Sequence, residues 1–486
     1  MLTTSKGRGT VILLVSDTSA TRQIFFSSAK VRIMSYTSKN SAEAASATAL
    51  VPEGRKVPRR WGKLTLLTGT LWADSGETSF LSTLSPVIIA ALSLPVGIVG
   101  VLVAISKGIA IVFGPVWSLV ASRTNRKWTL VITTALVAVM TAATGLAQDL
   151  TSLLVLWCIA AVFTSAALPL VTAITADLFS ESSRGRANGF TWAIISLTSA
   201  VVGPLIGQLA AVTDGWRIAF YLAGGFAAVI TILLVVAFTD PGIGASDRRQ
   251  AVVMPRRSRE NLVADLGKLF RIPSFTVLAI ERFFSARLLM NTLAVLFLVK
   301  ELGFSIQLAA TIAAPIGIGG LVGTLAGGLL SDLFNRISPR YGRVIVFQTA
   351  SLIAPALLIA VALMQSSNFA IYLILLGVAG FASGASITSQ RSVFMAITPV
   401  RLRGIGAAVM FSVIEAAAFL VWNLGSAVTV SLFGLGWTFL WLAGVLTLAS
   451  ALVLVFLYRA YAKDAMTVAA TADTTAVSLP TPEENS

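Results

Sequence analysis

The chain has 486 residues, of which 56% are hydrophobic and only 12% are charged, and its mean hydropathy is +0.86. A chain with so few charged residues has too little polar surface to cover a soluble globular protein. The composition therefore indicates a protein that folds in a lipid bilayer. The net charge of +15 does not point to nucleic acid, because the basic residues follow loop positions, as expected beside an anionic membrane leaflet.

Several kinds of site are excluded by residues that the chain lacks. Histidine is absent and Cys158 is the only cysteine, which excludes His-based metal sites, Ser-His-Asp triads and an intramolecular disulfide. No phosphate-binding loop of the Walker type is present, so ATP hydrolysis is not expected. We therefore predict no enzyme activity, no metal and no cofactor, and any proton coupling must involve carboxylates.

Residues 1–60 are rich in Ser, Ala, Thr and basic residues and contain one short apolar run, 11–15. That run is shorter than the hydrophobic region of a signal peptide. We predict a disordered cytoplasmic tail, with Met34 as an alternative to Met1 for the true start. Residues 461–486 are predicted to form a second disordered cytoplasmic tail.

Twelve apolar stretches follow the first tail, and each is long enough to cross a hydrocarbon layer of about 30 Å. Backbone groups in lipid must be hydrogen-bonded within their own segment, so each stretch is predicted to be a helix. A hydrophilic linker at 239–272 separates two six-helix bundles, 61–238 and 273–460. The stretches lie near residues 64–92, 96–121, 128–147, 151–175, 189–212, 217–238, 273–299, 305–330, 344–365, 369–395, 405–432 and 436–458.

The 36 Lys and Arg residues are distributed unequally between the two sides of this pattern. Only Arg217 and Lys300 fall on one side, and four more lie inside apolar stretches: Lys107, Arg282, Arg287 and Arg391. The remaining thirty lie in the loops and tails of the other side. By the positive-inside rule, this asymmetry predicts a multi-pass protein of the plasma (inner) membrane with both termini in the cytoplasm.

The two halves repeat each other in sequence. Residues 118–122 match 328–332 at an offset of 210, and Gly215-Trp216 matches Gly436-Trp437 at an offset of 221. Parallel repeats of six-helix halves, with a site between them near the bilayer midplane, are typical of alternating-access carriers.

Local motifs in these repeats resemble the major facilitator superfamily, and the resemblance extends from 61 to 462. The motifs are Ser122-Arg-Thr-Asn-Arg-Lys127, the second copy with Gly328, Asp332, Gly342 and Arg343, Ala176-Asp-Leu-Phe179, Gly203-Pro204, and Gly215-Trp-Arg217. The resemblance implies an all-α polytopic membrane protein, with twelve transmembrane helices in two pseudo-symmetric six-helix bundles. The loop at 122–127 and the stretch at 176–179 are similar to Spinster-like members. Asp74-x-x-Glu77 is similar to the first helix of aromatic-acid:proton symporters.

In this family the loop between helices 2 and 3 forms a charge cluster that locks one conformation. Because Ser122 stands where the family has an aspartate, the resemblance implies that this gate is intact only in the C-terminal half. Lys107 in helix 2 and Glu415 in helix 11 are predicted to pair between the halves, with other partners as the alternative. The predicted gating residues are Arg123, Arg126, Lys127, Asp332, Arg343, Lys107 and Glu415.

Asp74 and Glu77 lie in the middle of the first apolar stretch, and a spacing of three places them on one face of a helix. Two neighbouring carboxylates in a low dielectric cannot both ionise cheaply, so at least one is expected to hold a proton. We predict that this pair couples transport to protons. A static ion pair with Lys107 or Arg287 is the alternative.

Arg287 follows Glu77 by 210 residues, the same offset that relates the two loop copies. Pseudo-symmetry therefore predicts comparable depths for both residues, and a guanidinium suits a carboxylate or phosphate. We predict that Arg287 pairs with Asp74 or Glu77 in the empty protein or binds an anionic substrate group; structural pairing with Glu281 is the alternative. The other predicted substrate-binding residues are Trp72, Phe80, Phe284, Asn291, Gln390 and Arg391.

The sequence thus predicts a secondary active, proton-coupled transporter of a small organic solute that works by alternating access. We expect a monomer surrounded by membrane lipid. The Gly203-Pro204 motif favours export of an amphiphile or drug, whereas the helix 1 motif with Arg287 favours uptake of an organic anion. A transporter-like membrane sensor that moves no solute is the alternative.

Overall fold

The computed structural model describes residues 3–7, 10–17, 20–27, 30–34, 57–242, 245–246, 259–399 and 402–477. The chain divides into two units, Met1–Arg55 and Lys56–Ser486.

In the first unit, four antiparallel strands form a sheet in the order β1-β2-β3-β4. The apolar run at 11–15 lies in β2, where Val11 pairs with Lys6 on one side and Phe26 on the other. The β-branched residues of this run favour a strand. The sheet differs from the disordered tail that was expected for this part of the chain. The strands are Thr3–Gly7, Thr10–Asp17, Ala20–Ser27 and Lys30–Met34. Residues 35–56 of the expected tail lie outside the described residues.

The described part of the second unit contains twelve long helices, as the apolar stretches predict. The first six are α1 Arg60–Ala91, α2 Ile98–Arg123, α3 Arg126–Thr144, α4 Leu150–Leu178, α5 Glu181–Leu209 and α6 Gly215–Ala237. The second six are α7 Pro273–Lys300, α8 Ile306–Ile337, α9 Gly342–Leu363, α10 Phe369–Ile397, α11 Arg403–Phe433 and α12 435–477. By length and apolar composition, α2 to α12 can each span a membrane.

The two segments expected to be a linker and a C-terminal tail are partly helical. Within 239–272, residues Arg259–Phe270 form a short helix, here called the linker helix. Helix α12 continues beyond residue 461 to Val477, because Tyr461 is buried in the core and Asp464 accepts the backbone N–H of Ser274 at 3.0 Å. Residues 478–486 lie outside the described residues.

Close packing within the second half depends on glycines in α8. A Cβ atom added at Gly323 would lie 1.9 Å from the carbonyl oxygen of Phe381 on α10, and one at Gly319 would lie 2.1 Å from that of Gly377. Only glycine permits backbones to approach so closely. The glycine row therefore joins α8 to α10 within one half.

We call the side on which α6 ends and α7 begins the linker side, and the opposite side the far side. Near the far side, α2 packs tightly on α11: a Cβ at Gly100 would lie 2.4 Å from the carbonyl oxygen of Asn423. Gly207 on α5 packs similarly on Ala310 of α8, where the corresponding distance is 2.7 Å. These contacts join the two halves and close the interior on the far side.

Candidate functional site

Helix α7 is interrupted in the middle of the second half. Its first part ends at Phe284, Ser285 has a non-helical ψ of 92°, and Ala286–Leu288 form a single 3-10 turn before the helix resumes at Leu289. The carbonyl oxygen of Phe283 accepts the indole N–H of Trp422 at 2.5 Å. The interruption therefore has a hydrogen-bond partner, and it places Arg287 in the turn rather than on a regular helix face.

Arg287 is buried, with 6% of its surface exposed. Its Nη1 donates to Ser386 Oγ at 3.1 Å and lies 3.5 Å from Glu281 Oε1. Ser386 also hydrogen-bonds to Ser351 at 2.8 Å. Both contacts use the same nitrogen, and Nε and Nη2 form no hydrogen bond to any described residue. Nε and Nη2 therefore keep donor groups that no described residue accepts.

Glu281 is 1% exposed and begins a chain of polar contacts through the second half. Its Oε2 accepts Nε2 of Gln390 at 2.8 Å, and Oε1 of Gln390 accepts Nη1 of Arg282 at 3.0 Å. Nη2 of Arg282 pairs with Glu415 Oε2 at 2.5 Å. We call this chain the polar network: Ser351, Ser386, Arg287, Glu281, Gln390, Arg282 and Glu415.

The network balances its own charges, since two arginines face two glutamates. Buried ions are costly in a low dielectric unless they are paired and hydrogen-bonded, which these contacts provide. Two further cations lie at its edges. Arg391 is exposed, with its guanidinium 5.6 Å from the ring centre of Phe411, and Lys107 Nζ lies 5.1 Å from that of Phe419. The region thus carries an excess of positive charge.

The expected pair between Lys107 and Glu415 is replaced by other contacts in this structure. Glu415 pairs with Arg282 of its own half, whereas Lys107 lies over Phe419, one helical turn beyond Glu415 on α11. The guanidinium of Arg282 is anchored by Gln390, so it reaches Glu415 directly from the neighbouring helix.

The residues predicted on α1 lie in two different environments. Trp72 and Phe80 are buried, and Trp72 packs on Phe226 of α6 at 4.7 Å between ring centres, so both serve helix packing in this state. Asp74 is half-buried, and the side chain of Glu77 lies outside the described residues. The contacts of Arg287 are to Ser386 and Glu281, which is the alternative given for it above.

An aromatic cluster lies beside the break in α7. Phe284 is 41% exposed, and its ring centre lies 5.2 Å from that of Phe283 and 5.9 Å from that of Trp422. Asn291, on the next part of α7, is also exposed. Phe284 thus presents an exposed ring three residues before Arg287 in the chain.

The charge cluster on the linker side differs from the expectation that only the C-terminal gate is intact. Arg126 binds Asp177 through Nη1 at 2.5 Å and Asp240 through Nε and Nη2 at 3.1 and 2.7 Å. In the second half, Arg343 lies 3.9 Å from Asp332, whose side chain is 68% exposed. The N-terminal cluster is the tighter one, because Asp177 and Asp240 supply the carboxylates that Ser122 cannot.

The other two predicted gating cations differ in their contacts. Lys127 Nζ donates to the carbonyl oxygen of Val235 at 2.9 Å, whereas Arg123 is exposed at the end of α2.

The sequence interpretation missed Ser351 and Ser386, and it named Glu281 only as the alternative partner of Arg287, although some signals were present. Glu281 and Arg282 are adjacent charges inside an apolar stretch, which is costly enough to indicate partners. Ser386 and Gln390 are four residues apart on α10 and so face the same neighbour. No sequence pattern indicated Trp422 as the partner of the Phe283 carbonyl. The described residues contain no group of three or more potential metal ligands.

Comparison with known proteins identifies the family. The family model described as Major Facilitator Superfamily matches residues 66–353. The chain is 25% identical over 300 residues to the 3-(3-hydroxy-phenyl)propionate transporter of Escherichia coli (strain K12), an alignment that covers 60% of this chain and 69% of that protein. It is also 25% identical over 273 residues to Multidrug resistance protein 1 of Bacillus subtilis (strain 168), covering 56% and 67%.

Solved structures show the same fold. A bacterial homolog of the human lysosomal transporter Spinster, in an inward-facing and unoccupied conformation, superposes with a TM-score of 0.67 at 19% identity, covering 85% of this chain and 98% of that one. A D-xylose-proton symporter gives a TM-score of 0.60 at 18% identity, covering 80% and 95%. With its twelve helices in two halves and a family match over more than half its length, the chain belongs to the major facilitator superfamily and is a multi-pass secondary transporter.

Proposed function

We propose that this transporter takes up a small organic anion together with protons, and that the anion is an aromatic carboxylate. The observation that carries the proposal is Arg287, a buried guanidinium whose hydrogen bond to a described residue comes from Nη1. A carboxylate binds a guanidinium through two parallel hydrogen bonds, and Nε and Nη2 offer that geometry.

The surroundings of Arg287 support an aromatic anion. Phe284 and Trp422 present ring faces beside the turn, and offset or edge-to-face contacts with a substrate ring add to the affinity of the ion pair. Arg391 and Lys107 increase the positive potential of the region, which attracts anions. The relative from Escherichia coli is named for an aromatic carboxylate, 3-(3-hydroxy-phenyl)propionate.

Proton coupling is assigned to carboxylates, and Asp74 and Glu77 on α1 remain the proposed pair. The two carboxylates share a proton, which they bind when they face one side of the membrane and release when they face the other. This exchange couples the flux of the substrate to the pH gradient. The linker side, which carries most of the basic residues, is proposed to be cytoplasmic in the plasma membrane. The closed far side then corresponds to an inward-facing state.

Export of an amphiphile is the second candidate. It is supported by Gly203-Pro204 in α5, where Pro204 lies inside the helix, and by the likeness to a multidrug resistance protein. Uptake and export predict opposite directions of net flux in the same pH gradient.

The test is uptake of labelled 3-(3-hydroxyphenyl)propionate, hereafter the probe, into proteoliposomes with an alkaline interior. We expect accumulation that a protonophore abolishes. Arg287→Gln is expected to abolish uptake and Arg287→Lys to leave a small fraction, since lysine keeps the charge but loses the fork. Lys300→Gln, at an exposed position on the same helix, is the matched control and should transport like wild type.

Near-normal uptake by Arg287→Gln would remove this residue from the site. Active expulsion of a lipophilic dye, with no accumulation of the probe, would favour export. Binding of the probe without net flux in either direction would favour a sensor.

A further inference from the structure

We propose that Glu281 occupies, in the empty transporter, the place on Arg287 that the substrate carboxylate takes, so that substrate binding displaces Glu281 and makes it take up a proton. This inference rests on the proposed anion transport and names a proton site distinct from the pair on α1. It assigns to Glu281 the role of an internal substitute for the substrate.

The contact between the two side chains is suited to displacement. At 3.5 Å, Arg287 Nη1 and Glu281 Oε1 are farther apart than the 2.7–2.9 Å of a strong charge-assisted hydrogen bond. Glu281 does not form the two parallel hydrogen bonds with Arg287 that a free carboxylate would form. An incoming carboxylate that binds two nitrogens of the same guanidinium therefore competes effectively with Glu281.

The balance among the four paired charges of the network favours uptake of a proton, with Arg391 and Lys107 at its edges outside these pairs. When the network is empty, Arg287 and Arg282 are matched by Glu281 and Glu415. A substrate anion on Arg287 adds one negative charge to a buried region, and an uncompensated buried charge is strongly unfavourable. Uptake of one proton by Glu281 restores neutrality, and its release accompanies departure of the anion.

The two oxygens of Glu281 allow this change without disturbing the rest of the network. Oε2 accepts the Gln390 amide at 2.8 Å, and Oε1 is the oxygen that faces Arg287. A proton taken from water and placed on Oε1 leaves the bond to Gln390 intact. Gln390 in turn keeps Arg282 oriented toward Glu415.

Other charged groups near the first part of α7 have their own partners or are solvent-exposed. Arg282 is held by Gln390 and Glu415, and Arg391 is exposed and so remains solvated. The ionisable groups on the other elements packed against this part of α7, as far as the structure describes them, are Tyr458, Arg459, Tyr461, Lys463 and Asp464 on α12, with Asp265 and Lys268 on the linker helix. Asp464 is engaged with the backbone of Ser274, and Asp265 with Lys268.

The test measures protons bound when the purified transporter binds the probe, by titration calorimetry in buffers of different ionisation enthalpy. Wild type is expected to take up about one proton per bound probe molecule. Its apparent affinity for the probe therefore falls about tenfold for each unit of pH increase, over the pH range in which Glu281 is ionised in the empty transporter. Glu281→Gln is expected to bind the probe, because Arg287 has lost its competitor, but with no proton uptake and no dependence on pH.

Two controls make the result specific. Glu301→Gln changes a far-side carboxylate that accepts the backbone N–H of Gly436, and it should behave like wild type. A variant with both Asp74→Asn and Glu77→Gln should still take up the proton on binding, even if it has lost gradient-driven accumulation. This second variant tests the inference even if Glu281→Gln does not fold.

The outcomes separate the two proposals. Wild-type proton uptake in Glu281→Gln, or its loss in the variant of the α1 pair, would overturn the role of Glu281 while leaving anion transport in place. If wild type binds no probe at all, the proposed substrate class fails, and this inference fails with it.

Discussion

The indole N–H of Trp422 on α11 donates to the carbonyl oxygen of Phe283 at 2.5 Å, at the point where α7 is broken. In an unbroken helix this carbonyl would accept the backbone N–H of Arg287, four residues on. Trp422 thus replaces the hydrogen bond that the interruption removes. The turn that carries Arg287 depends on a side chain from another helix.

Replacing Trp422 with Phe removes this donor while keeping an aromatic ring beside Phe284. We expect a loss of about 1–3 kcal/mol in stability, because the part-buried carbonyl of Phe283 loses its hydrogen-bond partner. We also expect weaker binding of the probe, because the turn that holds Arg287 loses its support. Thermal unfolding and a binding titration measure the two effects. Trp441→Phe, at an exposed position on α12, is the matched control; equal changes in both variants would contradict the assignment.

Arg126 is expected to stabilise the N-terminal half more than its counterpart Arg343 stabilises the C-terminal half. Arg126 binds two carboxylates closely, so Arg126→Gln should cost on the order of 2–3 kcal/mol, as for hydrogen bonds to charged groups. Asp332→Asn, in the exposed second copy, should cost at most about 1 kcal/mol. Thermal unfolding of the two variants, with the exposed Arg123→Gln as the control, shows which substitution costs more stability. A larger loss for Asp332→Asn than for Arg126→Gln would refute it.

Gly100 is expected to control closure of the far side. A side chain there would meet the Asn423 carbonyl and Ser426, which belong to the other half, so Gly100→Val should push the halves apart without disturbing either one. The measurement is labelling of Ser426→Cys by an impermeant maleimide in a Cys158→Ser background, with labelling expected to increase. Gly225→Val, which has open space around it on α6, should leave labelling unchanged. Equal labelling of both variants would show that Gly100 does not hold the far side closed.

Neutralising Asp74 and Glu77 together is expected to reduce accumulation of the probe in a pH gradient, because only the proton on Glu281 is then carried with the anion, while exchange of labelled for unlabelled probe continues. Exchange needs only the loaded transporter to reorient, whereas accumulation needs the proton to be carried in the same cycle. Both fluxes are measured in the same proteoliposomes. Unchanged accumulation would remove the pair from the coupling mechanism.

Much of the fold followed from local pattern. Each apolar stretch predicts a helix because backbone groups in lipid have no other hydrogen-bond partners, and the repeat offsets predict two related halves. The sheet at Thr3–Met34 and the extension of α12 to Val477 were not expected, because they depend on strand pairing and on a tertiary contact with Ser274. The repeat also predicts that Arg287 lies at a depth comparable to that of Glu77, and this stays a prediction.

The partners of the charged groups were decided by the tertiary structure. The sequence by itself determined which charges interrupt the apolar stretches, since each is visible in the local pattern. It could not determine that Arg126 meets Asp177 and Asp240, or that Glu281 lies between Arg287 and Gln390. The contacts of Arg126 with Asp177 and Asp240, and of Glu281 with Gln390, join residues 51, 114 and 109 positions apart, and only the packing of helices brings them within a few ångströms. The break in α7, which orients Arg287, likewise depends on Trp422 from a distant helix.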